Sequence, residues 1–592
     1  MTLDQGLAFG ILALALILFA SGKLRHDIVA LISLVAVAFA GLVKPTEILS
    51  GFGHPAVITV AAVLVISEAL RTSGLVDVIV QRIGPLTKTT AGHIGVLTGV
   101  VALASAFMNN VGALAVMLPV ALATAAERNR PPAMLLMPLA FGSMLGGMIT
   151  LIGTPPNIII ASFRRSYTDE AFGMFDFAWV GLPVAVIGIL FIALGAWRLI
   201  PRERKGGVAP EDMFKLDEYI IEVRVGEKSP LAGKRLTHME HAAGEDIAIA
   251  ARVRESGELY QPEGWQPIEV GDLFILRADP SELTEFLDKQ GLELVGPEGE
   301  SRIDIKSSDL KLIEAIVGPN SPLIGFGPRT LARRSESDFH LFAVARQGQP
   351  IGGRLHNVRF QTGDVLLLQT REGAASSFPA EIGLLPLPER GLRLGGPRKL
   401  GTAFTIFAGA IVLSMTGVLP LAVAFLAAIV LYVIVGILPL RDLYRHIDWP
   451  VIVLLGAMIP VGQALQNTGA DRLIADGIVA TAGTLPAWAI LTLLLVVTMF
   501  ITDIINNAAT ALIMAPISIA IAQALGVNPD AFLMTIAVGA SCSFLTPIGH
   551  QSNTLVMGPG GYKFSDYWRL GLPLELVVTL VAVPLILIAW PL

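Results

Sequence analysis

The sequence predicts an α-helical polytopic membrane protein, built from two repeats that flank a soluble α/β insert. The first observation is composition: the 592 residues are 53% hydrophobic and only 15% charged, and the mean hydropathy is +0.68. Such values exclude an ordinary soluble protein. The second observation is that charged residues concentrate in the middle third of the chain. The third is that the two apolar ends carry the same polar motifs in the same order.

The change in composition divides the chain into three parts. Residues 1–200 and 399–592 are almost continuously apolar and form the predicted membrane repeats, whereas residues 201–398 are rich in Glu, Asp, Arg and Lys. Basic residues stand at both edges of this insert, and Lys and Arg beside membrane spans favour the cytoplasmic face. We therefore expect a multi-pass protein of the cytoplasmic membrane, with a cytosolic insert and with repeats of opposite orientation.

Each repeat contains seven predicted spans. They lie near residues 5–21, 26–43, 56–72, 91–107, 113–127, 132–149 and 179–200, and near residues 402–417, 419–437, 450–467, 484–502, 509–525, 531–545 and 573–591. Several are short for a bilayer, which needs about 20 apolar residues per helix. The spans beside the two Asn-Asn pairs are therefore predicted to form two re-entrant hairpins with an Asn pair at each tip. Protein or a water-filled cavity must satisfy the backbone of such a tip.

Two polar motifs mark the places where each repeat is interrupted. Asn109-Asn110 returns as Asn506-Asn507, and "LIGTPPN", ending at Asn157, returns as "TPIGHQSN", ending at Asn553. The prolines break a helix and free backbone carbonyls, which suit a sodium ion together with Asn and Thr oxygens. The helix N-terminus beyond each break can hold an anion without Lys or Arg. Repeated, broken apolar segments indicate a two-repeat secondary transporter, with its site where the breaks meet.

The candidate site residues lie at the two predicted hairpin tips and the two helix breaks. The candidate substrate-binding residues are Asn109, Asn110, Val111, Thr154, Pro155, Asn506, Asn507, Ala508, Gly549, His550, Ser552 and Asn553. The candidate sodium ligands are Asn110, Gly153, Thr154, Asn157, Asn507, Thr546, Gly549 and Asn553. Asp503 is a candidate ion-linked residue, because a carboxylate within a membrane segment is costly and is usually functional.

Each motif also has a simpler structural interpretation. One Asn-Asn pair in an apolar helix can serve as an interhelical hydrogen-bonding device, and one Gly-Thr-Pro-Pro run can serve as a kink. The duplication favours a site, because chance would not place both motifs in register in both halves. Asp503, which stands opposite Ala106 of the first repeat, is either a proton or cation site or a residue that orients the hairpin. His550 either contacts the substrate or caps a helix.

The duplicated motifs resemble those of the divalent anion/sodium symporter family, and within it the sulfate-permease branch that carries TrkA C-terminal domains. The resemblance is carried by "SAFMNN" and "TPIGHQSNTLVMGPGGYKFSDYWRLGLPL" and covers both membrane halves. It implies two sodium sites, an elevator-type movement and a homodimer. The family's hairpin tips read Ser-Asn-Thr, where this chain has Asn109-Asn110-Val111 and Asn506-Asn507-Ala508. In the family those hydroxyls help to hold carboxylates, so their loss favours a tetrahedral oxyanion such as sulfate.

The insert contains a duplication of its own. Residues 217–294 and 309–387 share a Ser-Pro-Leu run and a Gly-Asp turn, and they resemble the TrkA C-terminal (RCK-C) domain. Neither module has a G-x-G-x-x-G run, so NAD or ATP binding is not expected. The modules are predicted either to bind a small ligand or dimerise and so regulate the transporter, or only to assist assembly. Asp272 and Asp364 are expected to be turn residues.

The favoured function is sodium-coupled symport of sulfate, with sodium, membrane lipid and a second copy of the chain as partners. Three alternatives stay open: a sodium-coupled dicarboxylate carrier, an ion antiporter or metalloid exporter that uses Asp503, and a ligand-gated channel. An enzyme is not expected, because the sequence has no metal-ligand cluster, nucleophile elbow or Walker loop. The net charge of -6 gives no reason to expect nucleic-acid binding.

Overall fold

The computed structural model of the chain describes all residues except 22–23, 74–87, 129, 169, 202–219, 244–246, 254–258, 261, 278–285, 288, 295–309, 319–320, 335–338, 347–348, 352–357, 372–381, 387–399, 441–442, 445–446 and 483–484. Residues 202–219 and 387–398, just inside the two predicted edges of the insert, therefore lie outside the described residues. The chain divides into two compact units. One comprises Met1–Lys205, Leu392–Met557 and Tyr562–Leu592, and the other comprises Gly206–Gly391 with Gly558–Gly561.

The first membrane half is built from helices. They are α1 (Leu3–Ser21), α2 (His26–Phe39), α3 (Pro55–Thr72), α4 (Thr90–Ser105), α5 (Asn110–Glu127), α6 (Ala133–Gly147), α7 (Pro155–Thr168) and α8 (Ala178–Leu194). Local chemistry sets where several begin. Pro55 opens α3, where a missing N–H costs nothing, and the His54 ring accepts the Ala56 N–H at 3.2 Å. The Thr89 hydroxyl caps α4 by accepting the Gly92 N–H at 3.0 Å.

The insert forms two five-stranded antiparallel sheets with the same topology. The first contains β1 (Ile220–Val225), β2 (Ala248–Val253), β3 (Leu259–Tyr260), β4 (Leu273–Arg277) and β5 (Leu292–Leu294), and α9 (Leu236–Ala243) follows β1. The second contains β6 (Leu310–Val317), β7 (Phe339–Arg346), β8 (Gln349–Pro350), β9 (Val365–Arg371) and β10 (Leu384–Pro386), and α10 (Pro328–Arg334) follows β6. The strand orders are β3-β2-β4-β1-β5 and β8-β7-β9-β6-β10, so each strand of one sheet has a counterpart in the other.

The two Gly-Asp turns of the insert have the same construction. Asp272 accepts the Glu269 N–H at 2.7 Å, and Asp364 accepts the Gln361 N–H at 2.8 Å, so both carboxylates close a tight turn. Each also pairs with an arginine, Arg252 at 2.6 Å and Arg346 at 2.8 Å. The hydrogen bonds that the Arg346 guanidinium donates to Asp364 raise its pKa above the ordinary value. These aspartates therefore have a structural role as turn residues.

The second membrane half follows the helix order of the first. Its helices are α11 (Leu400–Met415), α12 (Leu421–Ile434), α13 (Trp449–Thr468), α14 (Ala470–Ala482), α15 (Ala487–Thr502), α16 (Asn507–Leu525), α17 (Pro529–Ser541), α18 (Gln551–Met557) and α19 (Tyr567–Ala589). Helices α15 to α19 correspond to α4 to α8 in order and in the position of each break. The predicted spans include nothing between 467 and 484, where α14 lies, because its charged residues interrupt the apolar pattern.

Three stretches within the described residues are long and apolar enough to cross a membrane: Trp449–Thr468, Asn507–Leu525 and Phe564–Ala589. A further eleven apolar helices have 10 to 17 residues. The helices that flank each Asn-Asn pair, α4 with α5 and α15 with α16, pack against each other. Helices α7 and α18, which follow the two breaks, pack against helices of the opposite half, α7 against α16 and α18 against α6. The breaks therefore lie where the halves meet.

Candidate functional site

The first hairpin turn is held by its own polar side chains. Helix α4 ends at Ser105 and α5 begins at Asn110. The Ser105 hydroxyl lies 2.7 Å from the terminal amide of Asn110, and both side chains are buried. The Asn109 oxygen accepts the Val111 N–H at 3.1 Å, so Asn109 caps the start of α5 while staying partly accessible.

His550 and Asn110 join the two membrane halves. The His550 Nδ1 accepts the Ser552 N–H at 3.0 Å, so a neutral ring carries its hydrogen on Nε2. That Nε2 lies 3.3 Å from the Asn110 amide, which must present its oxygen. The Asn110 amino group then donates to Ser105 Oγ at 2.7 Å and to the carbonyls of Ser143 and Gly153 at 3.2 Å. His550 thus both caps α18 and bonds the opposite hairpin.

The second hairpin repeats this construction with one difference. The Thr502 hydroxyl donates to the Asn507 oxygen at 2.9 Å, and the Asn506 oxygen accepts the Ala509 N–H at 2.8 Å as the cap of α16. Thr154 of the first half corresponds in sequence to His550, but it makes no bond to Asn507. The Asn507 Nδ2 and the Thr154 Oγ1 are both buried without a hydrogen-bond partner among the described residues. A short threonine in place of a histidine therefore leaves a donor and an acceptor free.

The two helix breaks are clamped in the same way. The Asn157 amino group donates to the Thr150 carbonyl at 2.8 Å and more weakly to that of Gly147 at 3.4 Å. In the second half, the Asn553 amino group donates to the carbonyls of Ser543 at 2.8 Å and Thr546 at 3.0 Å. Each asparagine thus satisfies two backbone carbonyls near its own break.

A threonine ties each break to its hairpin. The Thr150 hydroxyl donates to the Ala106 carbonyl, and the Thr546 hydroxyl donates to the Asp503 carbonyl at 2.6 Å. Because the same bond is present in both halves, each break and its hairpin turn form one polar unit.

Glycine is required where the breaks approach the hairpins. A Cβ on Gly153 would lie 2.5 Å from the Gly147 carbonyl oxygen, and one on Gly549 would lie 2.5 Å from the Thr502 carbonyl oxygen. A Cβ on Gly147 would lie 2.2 Å from the Asn110 amide. These distances are shorter than a carbon atom tolerates, so only glycine lets the backbone segments touch.

The free polar atoms of the site fit a cation and an anion. The Asn553 Oδ1, like the Thr154 Oγ1, is a buried oxygen without a hydrogen-bond partner among the described groups, and such oxygens suit sodium. The Asn507 Nδ2 is a buried free donor that suits an anion. Unbonded buried polar atoms are costly, so a ligand that satisfies them gains that free energy.

The remaining predicted residues lie at the same turns but contribute differently. Ser552 is buried and its hydroxyl lies 3.3 Å from Ser143 Oγ of the opposite half. Val111, Ala508 and Pro155 stand in the first turns of α5, α16 and α7, where only their backbone groups are polar. They have no side-chain polar atom to offer a substrate.

Sequence reasoning did not identify several polar residues of the site. Ser105 precedes Asn110 by five positions, and Thr502 precedes Asn507 by the same distance. The hydroxyl that recurs at this spacing is a signal that the sequence holds. Ser143 has no counterpart that would have marked it. Glu575 stands two residues after Pro573, where the first half has Ala185 after Pro183. This second acidic substitution stands two residues beyond the Gly-Leu-Pro run that both halves share.

The helical architecture and a polar site at paired helix breaks define a membrane transporter. The chain belongs to the family whose model is described as CitMHS, citrate transporter, which matches residues 16–539 and 488–592. Proteins of this family are embedded in membranes.

Two full-length relatives are themselves described as transporters. An uncharacterized transporter of Synechocystis, sll0640, is 33% identical over 98% of this chain and 96% of its own length. The uncharacterized transporter YfbS of Escherichia coli is 31% identical over 98% of both chains. Sodium/sulfate cotransporter 2 of Chlamydomonas reinhardtii is 26% identical over 62% of this chain and 44% of its own. The crystal structure of the Alcanivorax borkumensis YdaH transporter covers 93% of this chain and 88% of that chain, with 14% identity and a TM-score of 0.43.

Proposed function

We propose that this transporter is a sodium-coupled symporter of an inorganic divalent oxyanion, sulfate, in the cytoplasmic membrane. The observation that carries the proposal is the group of free buried polar atoms at Asn507, Asn553 and Thr154, where the helix breaks meet the hairpins. The name of the Chlamydomonas relative, a sodium/sulfate cotransporter, supports the cargo and the coupling ion.

Sodium would be held by neutral oxygens. Asn553 Oδ1 and Thr154 Oγ1 are the free oxygens, and both residues stand at the helix breaks. Bound sodium supplies positive charge beside the anion. Because these ligands carry no charge of their own, binding of the cation would favour binding of the anion, and this is the physical basis proposed for coupling.

Sulfate would be held by neutral donors. The motif segments 105–111, 146–157, 502–508 and 543–553 contain no Lys or Arg. The available donors are the free amino group of Asn507 and the Nε2–H of His550, which can leave Asn110 for a substrate oxygen. Hydrogen bonds to an ionised acceptor are stronger than neutral ones, so a few such donors can hold an anion.

A sodium-coupled carrier of a di- or tricarboxylate is the second candidate, favoured by the family description as citrate transporter. The hairpin tips argue against it. The side-chain oxygens of Asn109 and Asn506 are used as helix caps, and Val111 and Ala508 have no hydroxyl. An antiporter or exporter and a ligand-gated channel are further alternatives that the flux measurement below would distinguish.

The architecture that we propose is an inverted repeat with an elevator-type movement in a homodimer. The matching order of α4–α8 and α15–α19 supports the repeat. We propose further that the insert faces the cytosol and consists of two RCK-C modules that regulate or assemble the transporter. The identical strand orders of its two sheets support the duplication.

Uptake into proteoliposomes tests the proposed function. Radiolabelled sulfate uptake should be saturable and should rise when an inward sodium gradient replaces choline. Excess unlabelled sulfate or molybdate should compete more strongly than citrate, succinate or phosphate. Equal sulfate flux in sodium and choline would remove sodium coupling, whereas sodium-driven citrate uptake without sulfate uptake would establish the second candidate. Non-saturable flux would indicate a channel, and a cation flux that needs no sulfate and is driven by an opposing proton flux would indicate an antiporter.

A matched pair of variants tests the site. Asn507→Ala removes the free buried donor and should lower sulfate uptake at least about tenfold, because a hydrogen bond to a charged group contributes about 1.5–3 kcal/mol. Asn467→Ala removes an exposed asparagine of α13 and should leave uptake unchanged. Equal uptake by both variants would contradict the assignment of Asn507.

A further inference from the structure

Two buried carboxyl groups face each other in the second membrane half. Asp503 directly follows α15, and Glu575 lies within α19. Their side chains are within hydrogen-bonding reach of each other, and only 3% of Asp503 and 5% of Glu575 is exposed. No basic side chain among the described residues contributes to the environment of either group. Two ionised carboxylates in this arrangement would repel each other strongly.

The oxygen atoms of the pair are only partly satisfied. Asp503 Oδ1 accepts the Leu545 N–H at 2.9 Å and the Ser543 hydroxyl at 3.4 Å. Asp503 Oδ2 and Glu575 Oε1 are buried, and no N–H or O–H donor of the described residues bonds to either of them. Leaving charged oxygens buried and unbonded costs several kcal/mol. A cation between them would offset this cost, since it satisfies both oxygens and cancels their repulsion.

The first membrane half shows that the fold itself does not need these acids. Asp503 precedes Asn506 by three residues, as Ala106 precedes Asn109, and Glu575 corresponds to Ala185. Both alanines are buried, so the equivalent positions are filled by two methyl groups. The second half thus has two acidic residues in contact where the first half has two alanines. This difference indicates a function for the acidic pair.

We propose that Asp503 and Glu575 form a sodium-binding site behind the second helix break, in addition to the oxygens of the candidate site. The proposal deepens the proposed sodium coupling and rests on it. Carboxylate and hydroxyl oxygens are hard ligands, which suit sodium rather than a thiophilic metal.

The site is connected to the break that carries His550. The Thr546 hydroxyl donates to the Asp503 carbonyl at 2.6 Å. A Cβ on Gly549 would lie only 2.9 Å from the Asp503 Cα, so the break rests directly on this residue. A cation at the carboxyl pair can therefore fix the position of Gly549 and of the neighbouring His550.

Thermal unfolding of the purified full-length protein tests the site without any transport. The midpoint is measured against sodium chloride, with choline chloride holding the ionic strength constant. Sodium should stabilise the wild-type protein. Asp503→Asn and Glu575→Gln should each raise the half-saturating sodium concentration at least about tenfold, equivalent to about 1.4 kcal/mol. Asp471→Asn, which removes another buried carboxylate, should leave it unchanged.

A double variant provides the second arm. Asp503→Ala with Glu575→Ala restores the alanine pair of the first half, so it should fold even where a single amide variant does not. Its unfolding midpoint should lose the part of the sodium-dependent rise that comes from Asp503 and Glu575. A half-saturating sodium concentration equal to that of the wild-type protein would overturn the proposal. A midpoint that responds to pH but not to sodium would also overturn it, because the occupant would then be a proton.

The outcome for the site is separable from the outcome for the proposed function. In one outcome, sodium stabilises the wild-type protein, the variants lose this effect, and yet the wild-type protein carries no sulfate. That result would support the sodium site and refute sulfate as the substrate. Sodium-driven sulfate uptake with unchanged sodium dependence in the double variant would support the function and refute the site.

Discussion

At the scale of single residues, the site depends on how two asparagines are partnered. Asn110 is fully bonded, since the His550 Nε2 faces its oxygen and three oxygens surround its amino group. Asn507 occupies the corresponding place, but Thr154, which corresponds to His550 in sequence, makes no hydrogen bond to it. The Asn507 amino group has no partner among the described residues. The chemical asymmetry between the halves therefore coincides with a Thr/His replacement.

His550 is predicted to be a binding residue as well as a cap. His550→Leu removes the donor that faces Asn110 and leaves a buried oxygen unbonded, at a cost of about 1–3 kcal/mol. Sulfate uptake should fall roughly tenfold or more by the same free energy, whereas His550→Gln, which keeps an N–H donor, should retain more activity. Initial uptake rates at equal amounts of folded protein measure this. Wild-type uptake by the leucine variant would show that His550 serves only as a cap.

At the scale of elements, each helix break and its hairpin form one unit. Two bonds recur in both halves: a threonine hydroxyl to the hairpin carbonyl, and an asparagine amino group to the carbonyls of the break. These bonds satisfy backbone groups that a broken helix would otherwise leave exposed within an apolar environment. The breaks are thus stable non-helical segments whose shape is fixed by specific partners.

The glycines of the breaks are predicted to be irreplaceable. Gly153→Ala and Gly549→Ala place a carbon 2.5 Å from a backbone oxygen, so the break must move away from its hairpin. Overpacking of this kind costs about 1–3 kcal/mol, and each variant should lose sulfate uptake.

Gly112→Ala is the matched control for these variants. Gly112 lies close to the same hairpin tip, and a Cβ there meets open space. This variant should transport normally and be slightly stabilised, because alanine favours a helix by up to about 1 kcal/mol over glycine. Normal transport by Gly153→Ala or Gly549→Ala would mean that the close packing has no role in transport.

At the scale of the whole molecule, the two membrane halves are joined by polar contacts as well as by helix packing. One of them is an ion pair between Arg164 in the last turns of α7 and Asp530 at the start of α17. The Arg164 Nε lies 3.0 Å from both oxygens of Asp530. The guanidinium also stacks on Phe172 at 4.7 Å and donates to the carbonyls of Glu170 and Ala171. One arginine therefore fixes the end of the first break helix to the opposite half.

Removal of either partner of this pair should destabilise the protein. Arg164→Ala and Asp530→Ala each leave a largely buried charge unpaired, which should cost about 2–4 kcal/mol, somewhat below the cost for a fully buried pair. The double variant should lose less than the sum of the two single variants, and Arg164→Lys should restore only part, because lysine cannot form the bidentate contact. Denaturation midpoints of the four proteins measure the coupling free energy.

The exposed Lys44–Glu47 pair is the matched control for this cycle. The side chains of Lys44 and Glu47 are 79% and 44% exposed, and their charged atoms lie 3.6 Å apart. Surface pairs of this kind contribute at most about 1 kcal/mol. Additive losses in the Arg164–Asp530 cycle would mean that the contact does not stabilise the joined halves.

Much of the fold could be predicted from sequence, because membrane spans and breaks are encoded locally. The positions of the helices follow from the long apolar runs. The positions of their interruptions follow from the Asn pairs and from the prolines after Gly153. Helix α14 lies outside the predicted spans, since charged residues interrupt its apolar pattern and a short amphipathic helix need not cross a membrane. The repeat orientation, the RCK-C assignment and the role of each site residue stay predictions, because none of them follows from local pattern alone.

The sequence by itself determined that this chain is a helical membrane transporter and where its four interruptions lie. Composition and periodicity suffice for that, because apolar segments in a bilayer must form helices. A break whose backbone N–H and C=O groups lack partners costs several kcal/mol there. Only the tertiary structure decided which polar groups are satisfied. The Asn110–His550 contact joins residues 440 positions apart, and the Asp503–Glu575 pair brings together two helices of one half. Such pairings depend on how helices pack, so the free donor of Asn507 and the two facing carboxyls became visible only in three dimensions.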